Sequence, residues 1–292
     1  MTGSDLMTRL RATTPKLSRG QKQIAAYLEE HYDKAAFMTA NRLGVVTGVS
    51  ESTVVRFAMR LGYDGYPELQ AALQDLIRNR LTAVQRLEAS TSKLSDQNVL
   101  QAVMNDDMDK IASTLAAVDQ EAFNAAVSET VFARRVYLIG LRSSANLAGF
   151  LGFYYRLIFD DVRIITTSGL NELYEQLLHV SEKDVVYGIC FPRYSSGTVA
   201  ALKFVKSRGA RVIAVTDSAM SPIAGLADYT LYARSDMASF VDSLVAPLSL
   251  INALIIAVGL RRKEDVTRTF EDLENVWAAN GVFEKFGDGE EA

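Results

Sequence analysis

The sequence predicts two folded units of different class: an all-α head and, behind it, a three-layer α/β body on a five-stranded parallel sheet. Three observations predict this. The first 86 residues carry helical spacing and no alternating strand pattern. From Arg135 onward, short β-branched runs alternate with longer helical segments. The length of 292 residues suits two domains of roughly 100–200 residues each.

The head reads as follows. Ser18 is placed to cap a helix that carries Ile24, Tyr27 and Leu28 on one side. Thr39 can cap a short helix over residues 40–47, and Gly48-Val49-Ser50 makes a tight turn. Ser50 caps a second helix over 51–61, which Gly62 stops. Pro67 suits a first helical turn, and the helix it opens runs to about residue 86. Residues 87–105 are richer in Ser, Asn and Gln and read as a linker passing into a helix near 100–115.

In the body, strands are expected at 136–140, 162–166, 184–190, 211–217 and 228–233. Helices are expected up to about 159, then at 171–179, 197–208 and 221–226, with a long one from 240. Near-continuous apolar strands in repeated β-α units imply a parallel sheet covered on both faces. Ligands of such sheets bind beyond the carboxyl ends of the strands, where the strand order switches. The loops after Gly140 and Cys190 are therefore the places to look. The expected divisions are a head at 1–86, a linker and leading helix at 87–124, a body at 125–260, and a C-terminal helix with a loose tail at 261–292, the helix centred on 270–277.

Composition narrows the function classes. A content of 49% apolar and 23% charged residues excludes a mainly disordered chain or a collagen-like fibre. The single cysteine, Cys190, excludes an internal disulfide and a CxxC zinc site. The polar N-terminus has no apolar signal core, and the longest apolar run, 245–260, is interrupted by Pro247, Ser249 and Asn252. The cytoplasm is the expected compartment, with no membrane partner, metal or cofactor. Residues 1–86 carry 12 basic and 8 acidic side chains, a net +4, against 19 and 27, a net −8, in the rest. A basic head on an acidic body fits a protein whose head alone meets a polyanion.

The helix at 51–61 has two faces. Val54, Phe57, Ala58 and Leu61 fall within about 100° of one another and would seat it on the head. Ser52, Arg56 and Arg60 lie opposite with Met59, and Thr53 flanks them. Recognition helices touch base edges near their N-terminal ends. Arg pairs with guanine O6 and N7 or with phosphate, and a helix N-terminus attracts phosphate. Ser50, Ser52, Thr53, Arg56 and Arg60 are thus candidate DNA contacts; the plain alternative is an amphipathic helix with a solvated face. In the body, GLRSSA (140–145) and PRYSSGT (192–198) each lead into a helix. Together they supply Arg142, Ser143, Ser144, Arg193, Ser195, Ser196 and Thr198. Hydroxyls, helix-terminal amides and guanidinium groups can hold an anion without metal; the alternative is ordinary serine capping.

The stretch 48–70 resembles the N-terminal domain of RpiR-type bacterial transcription regulators, with its VS-x-x-TVVRF-x-x-x-LG-aromatic-x-G-aromatic-x-EL signature. The resemblance spans about residues 5–80 and implies a helical DNA-binding domain without a wing, whose recognition helix covers 52–61. Residues 125–260 are similar to the sugar isomerase (SIS) domain that follows the head in those regulators. Its G-x-G-x-S motif reads Gly140-Leu141-Arg142-Ser143-Ser144 here, and its S-x-S-G-x-T motif reads Arg193-Tyr194-Ser195-Ser196-Gly197-Thr198. Arg142 and Arg193 replace small residues of the usual motifs and would suit a carboxylate as well as a phosphate. The resemblance implies a regulator that senses a phosphorylated sugar or sugar acid, acts as a homodimer or tetramer, and binds a palindromic operator.

An isomerase or lyase with an accessory helical domain is the alternative function. It needs a positioned base and often a histidine. Only His31 and His179 are present, neither with a carboxylate partner by spacing. Glu172 and Glu175 stand i,i+3 on an amphipathic helix, and Cys190 ends a buried strand. No HExxH, Walker or GxSxG motif occurs, so a non-enzymatic role is expected. A further rival is an interaction module whose head binds protein.

Overall fold

The computed structural model describes Leu6, Arg9 and Leu10 and residues 13–78, 98–167, 169–235 and 241–283. The head contains α1 (Arg19–Ala35), α2 (Ala40–Thr47), α3 (Glu51–Arg60) and α4 (Tyr66–Arg78). Ser18 and Gln21 form a reciprocal capping box at the start of α1, and Thr39 Oγ1 accepts from the Arg42 amide at 3.2 Å to start α2. Leu28, Leu43, Val54, Phe57 and Leu69 meet in one apolar core. Tyr66 Oη donates to the Met38 carbonyl at 2.7 Å, and Gln70 Nε2 donates to the same oxygen at 2.8 Å. These two bonds pin α4 across the corner between α1 and α2. Burial pushes the Tyr66 phenol up to about 12. His31 sits inside α1 at a break in helical geometry (φ −134°, ψ 35°), its ring 5.0 Å from Tyr27. The expected continuation of α4 to residue 86 and the linker up to 97 lie outside the described residues.

The body opens with α5 (Val99–Ala117) and α6 (Gln120–Val131). Its sheet comprises β1 (Arg135–Gly140), β2 (Val162–Ile165), β3 (Asp184–Ile189), β4 (Arg211–Thr216) and β5 (Tyr229–Tyr232), all parallel, in the order β2-β1-β3-β4-β5. Helices α7 (Ser144–Tyr155), α8 (Leu170–Gln176), α9 (Ser196–Ser207) and α10 (Val245–Arg261) cover it, and α11 (Lys263–Asn280) follows. Two apolar layers separate the sheet from its helices. Leu138, Tyr187 and Ile213 meet α6, α7 and α10 on one side, and Tyr137, Val186 and Val212 meet α8 and α9 on the other. The result is the expected three-layer arrangement. The chain leaves β1 for β2 at one edge and returns to β3 on the opposite side of β1. The switch in strand order therefore falls between β1 and β3.

Several elements differ from the sequence reading. Helix α6, which straddles the expected boundary at 124/125, has no counterpart among the expected helices: Ala122, Ala125 and Ala126 are half of its apolar positions, beside Phe123, Val127 and Val131, and weaken its periodicity, while Asp119 caps it by accepting from the amides of Glu121 and Ala122. The helix expected at 221–226 is one 3₁₀ turn, Ala224–Leu226. The last helix of the core starts at Val245, where Pro247 occupies its first turn. Among the described residues no single helix is long and apolar enough to cross a membrane.

Candidate functional site

The first candidate site lies at the switch point. A Cβ at Gly140 would fall 2.5 Å from the Ser144 carbonyl oxygen and 3.0 Å from Ala148 Cβ. Only glycine lets α7 begin so close to the end of β1. Two residues on, Arg142 takes a left-handed conformation at φ 59°, and Arg193 does the same after β3 at φ 63°. They are the non-glycine residues with positive φ among the described residues. Each such residue costs about 1–2 kcal/mol, and strain of this kind concentrates at ligand sites.

The two loops enclose a hollow of about 240 Å³. Arg142, Ser143 and Ser144 line it from the β1 loop, Cys190, Arg193 and Ser195 from the β3 loop, and Asp242 from the segment before α10. Among the described residues neither Arg142 nor Arg193 has an ion-pair partner, and both side chains are exposed. Ser195 Oγ accepts from the Thr198 amide at 3.4 Å as the cap of α9, which leaves its own proton for another acceptor. Ser196 is exposed on the first turn of α9 and does not line the hollow. Thr198 does not line it either; its side chain is fully buried, and its hydroxyl lies by the Cys190 thiol without a well-formed hydrogen bond. Burial pushes that thiol up to about 11, partly opposed by the Ser195 amide, so Cys190 stays protonated and unreactive near neutral pH. Tyr194 Oη donates to Asp217 Oδ1 at 2.8 Å, and Thr216 Oγ1 donates to the Cys190 carbonyl at 2.6 Å. These bonds anchor the second loop to the end of β4.

Other sequence candidates fall elsewhere. Glu172 accepts a hydrogen bond from Thr167 Oγ1, and neither Glu172, Glu175 nor His179 lines the hollow. Asp242 was not anticipated: it comes from a segment with no motif, more than 40 residues beyond the β3 loop. No group of three or more His, Cys, Asp or Glu side chains among the described residues could hold a metal.

The second candidate site is the outer face of α3. Val54, Phe57 and Ala58 are buried, while Ser52, Arg56, Met59 and Arg60 face solvent. Gly48 makes the turn at φ 69°, and a Cβ at Gly44 would meet the Val49 carbonyl oxygen at 2.8 Å. The two helices are thus locked at close range. Ser50 has cap geometry, but its hydroxyl makes no bond to the helix backbone. It lies 3.0 Å from Ser52 Oγ and 2.9 Å from Thr53 Oγ1, forming a cluster of exposed hydroxyls at the head of α3. Arg56 Nε donates to the Ser52 carbonyl at 3.2 Å.

Head and body together define a helix-turn-helix regulator with a C-terminal sugar-isomerase-type domain. Residues 4–80 match the rpiR-family helix-turn-helix domain, and residues 131–257 match the SIS domain. The chain belongs to the RpiR family of HTH-type transcriptional regulators. It is 25% identical over 281 residues to an uncharacterised HTH-type transcriptional regulator of Caldanaerobacter subterraneus, covering 94% of this chain and 97% of that one. A similar regulator of Haemophilus influenzae is 24% identical, covering 90% and 92%. Among solved structures, the sugar isomerase domain of an RpiR transcription factor from Sphaerobacter thermophilus matches with TM-score 0.59 and 28% identity, covering 61% of this chain and 99% of that one. The NanR protein of Vibrio vulnificus, solved in complex with ManNAc-6P, shares the fold over 94% of this chain and 98% of its own, with TM-score 0.58 and 20% identity.

Proposed function

We propose that this chain is a cytoplasmic regulator of carbohydrate metabolism whose operator affinity is set by a phosphorylated sugar or sugar acid bound between the β1 and β3 loops. One observation carries the reading: two serine-rich helix starts and two arginines without ion-pair partners among the described residues converge on a single hollow at the switch point. The phosphate is received by the N-termini of α7 and α9 and by the hydroxyls of Ser143, Ser144 and Ser195, while Ser196, outside the hollow, contributes only its place in the first turn of α9. Thr198 serves from behind, by setting Ser195 and Cys190 in place. Arg142 and Arg193 pair with the phosphate or with a carboxylate on the sugar. The fold shared with NanR, which binds ManNAc-6P in its solved complex, supports the ligand class.

In the head, α3 enters the major groove. Ser50, Ser52 and Thr53 meet backbone or base edges at its N-terminal end, and Arg56 and Arg60 continue along it. A two-fold pair of heads reads a palindromic operator. Effector binding changes DNA affinity by favouring one arrangement of the pair, and a typical coupling is about 1–3 kcal/mol.

A thermal-shift screen against phosphorylated sugars and sugar acids tests this, because a ligand that binds only the folded state raises its melting temperature. A hit is expected, and the hit compound is expected to change retention of operator DNA. A screen without hits, or DNA retention without sequence preference, overturns the reading. The same compounds should be recovered unchanged; turnover would move the assignment to an isomerase or lyase.

A further inference from the structure

The hollow between the β1 and β3 loops carries two sets of anion-holding groups, and they are not interchangeable. The first set belongs to the helix starts. Helices α7 and α9 begin at its wall, and neither has an acidic side chain in its first turn to answer the positive end of its dipole. Ser143 stands at the cap position of α7 with its hydroxyl unbonded to the helix backbone, and Ser144 and Ser195 line the hollow with it. A phosphate monoester presents three strong acceptor oxygens. Amides and hydroxyls of this kind satisfy them without any guanidinium.

The second set is Arg142 and Arg193. Each stands outside its helix, in left-handed backbone that glycine would adopt without strain. Other guanidiniums of the body have a carboxylate beside them: Arg134 has Asp184 at 2.8 Å, Arg163 has Asp161 at 3.1 Å and Arg262 has Asp265 at 2.8 Å. Arg142 and Arg193 have none among the described residues, although Asp242 lines the same hollow. A side chain kept at a cost in backbone strain points to a task that glycine cannot perform. Here two guanidiniums, each with five N–H donors, are added to a hollow whose phosphate is already met.

The group they suit is a carboxylate. The planar guanidinium fork matches two carboxylate oxygens with parallel N–H···O bonds. A second phosphate fits worse on two grounds. It carries nearly two negative charges where a carboxylate has one, so Asp242 repels it more strongly. It is also bulkier, and the hollow, at about 240 Å³, is smaller than the roughly 300–1,000 Å³ of ordinary ligand pockets.

We infer that the hollow takes a small phosphorylated sugar acid, with its phosphate on the starts of α7 and α9 and its carboxylate in a separate subsite formed by Arg142 and Arg193. The hydroxylated carbons between the two groups face Asp242, which accepts their hydrogen bonds. This rests on the effector reading and narrows it, from phosphorylated sugars at large to those that end in an acid. A sugar phosphate without the acid leaves both guanidiniums facing no anion, so the two classes differ in affinity by the charge-assisted bonds it cannot make.

The test is calorimetric titration of the full chain with matched pairs of equal carbon number. The pairs are 3-phosphoglycerate with glycerol 3-phosphate, 4-phosphoerythronate with erythrose 4-phosphate, and 6-phosphogluconate with glucose 6-phosphate; fructose 1,6-bisphosphate is titrated beside them. At least one acid is expected to bind about tenfold or more tighter than its partner, since hydrogen bonds to charged groups are the stronger kind. In Arg142→Gly combined with Arg193→Gly, where the left-handed backbone is relaxed and circular dichroism should be unchanged, that ratio is expected to fall below about threefold. Arg142→Lys combined with Arg193→Lys is a second arm should the glycine variant fold poorly: it keeps the charge but not the fork, and the ratio is again expected to shrink. Equal affinities within every pair, tighter binding of the bisphosphate than of every acid, or an acid preference that survives both variants overturns the inference and leaves the effector reading standing. Binding of none of these phosphorylated compounds overturns both.

Discussion

Arg142 and Arg193 hold left-handed backbone that glycine would adopt freely. Replacing either with glycine should therefore remove strain while deleting a guanidinium from the hollow. The gain is expected at about 0.5–1 kcal/mol, the relief of left-handed strain less the added freedom of the unfolded chain. Effector affinity is expected to fall at least tenfold, since hydrogen bonds to charged groups contribute about 1.5–3 kcal/mol. Thermal melts with and without the effector check both signs at once. A variant that loses stability and keeps affinity would show that these arginines serve the loop and not the ligand. Gly140→Ala should act in the opposite way. Its methyl group would strike the Ser144 carbonyl oxygen at 2.5 Å, costing about 1–3 kcal/mol as overpacking does, and displacing the start of α7 should also abolish effector binding. At this scale the sequence was informative about position more than orientation. The spacing of Gly140 to Ser144 put a serine at a helix start, which holds. The burial of Thr198 was not legible, because a threonine three residues into a helix looks the same whether it faces ligand or core.

The helix-turn-helix is legible from its punctuation: Thr39, Gly48 and Gly62 each sit where a cap or left-handed turn is required, and the structure places them there. Its outer face should be separable from its inner one. Arg56→Ala and Arg60→Ala leave the buried Val54, Phe57 and Ala58 untouched, so melting temperature should stay within a degree or two of the parent. If each arginine neutralises one phosphate, each change should lower the slope of log affinity against log salt by about one. If one instead reads a base, discrimination at a single operator position should relax by about 1–3 kcal/mol. Salt-dependent DNA titrations distinguish these outcomes, and an unchanged titration would remove α3 from the interface. Tyr66→Phe tests the scaffold behind α3: losing its bond to the Met38 carbonyl should cost about 1 kcal/mol. Other elements were less readable. The alanine-rich face of α6 gives a faint periodicity. In α5 the spacing of Leu100 to Leu115 marks a helix but not the side that meets the body; only the burial of Lys110 and Thr114 shows that.

At the scale of the whole molecule, regulation requires that occupancy of the hollow be felt by the helix through which the head is tethered. A short segment joins the two. Asp242 lines the hollow, and the next residue, Ser243, donates through its hydroxyl to Asp107 Oδ1 on α5 at 2.6 Å. Ser235 Oγ donates to the Ser243 carbonyl at 2.8 Å, and the Arg234 amide donates to Thr114 Oγ1 on α5 at 2.9 Å. An anion drawn to Arg142 and Arg193 also changes the field at Asp242, so this segment is where a difference between empty and occupied states would reach α5. Contiguity alone does not establish coupling, which has to be measured as a free energy between the two sites. Ser243→Ala and Asp107→Ala are therefore expected to leave effector affinity within about threefold of the parent while shrinking the effector-induced change in DNA affinity, about 5–150-fold for a typical coupling, towards none. The double variant should add little to either single one, because both remove the same bond. Reciprocity supplies an independent check: in the parent, saturating operator DNA must shift effector affinity by the same factor by which the effector shifts DNA affinity, and in the variants both factors should shrink together. A full response in the Ser243→Ala protein would place the coupling elsewhere in the body.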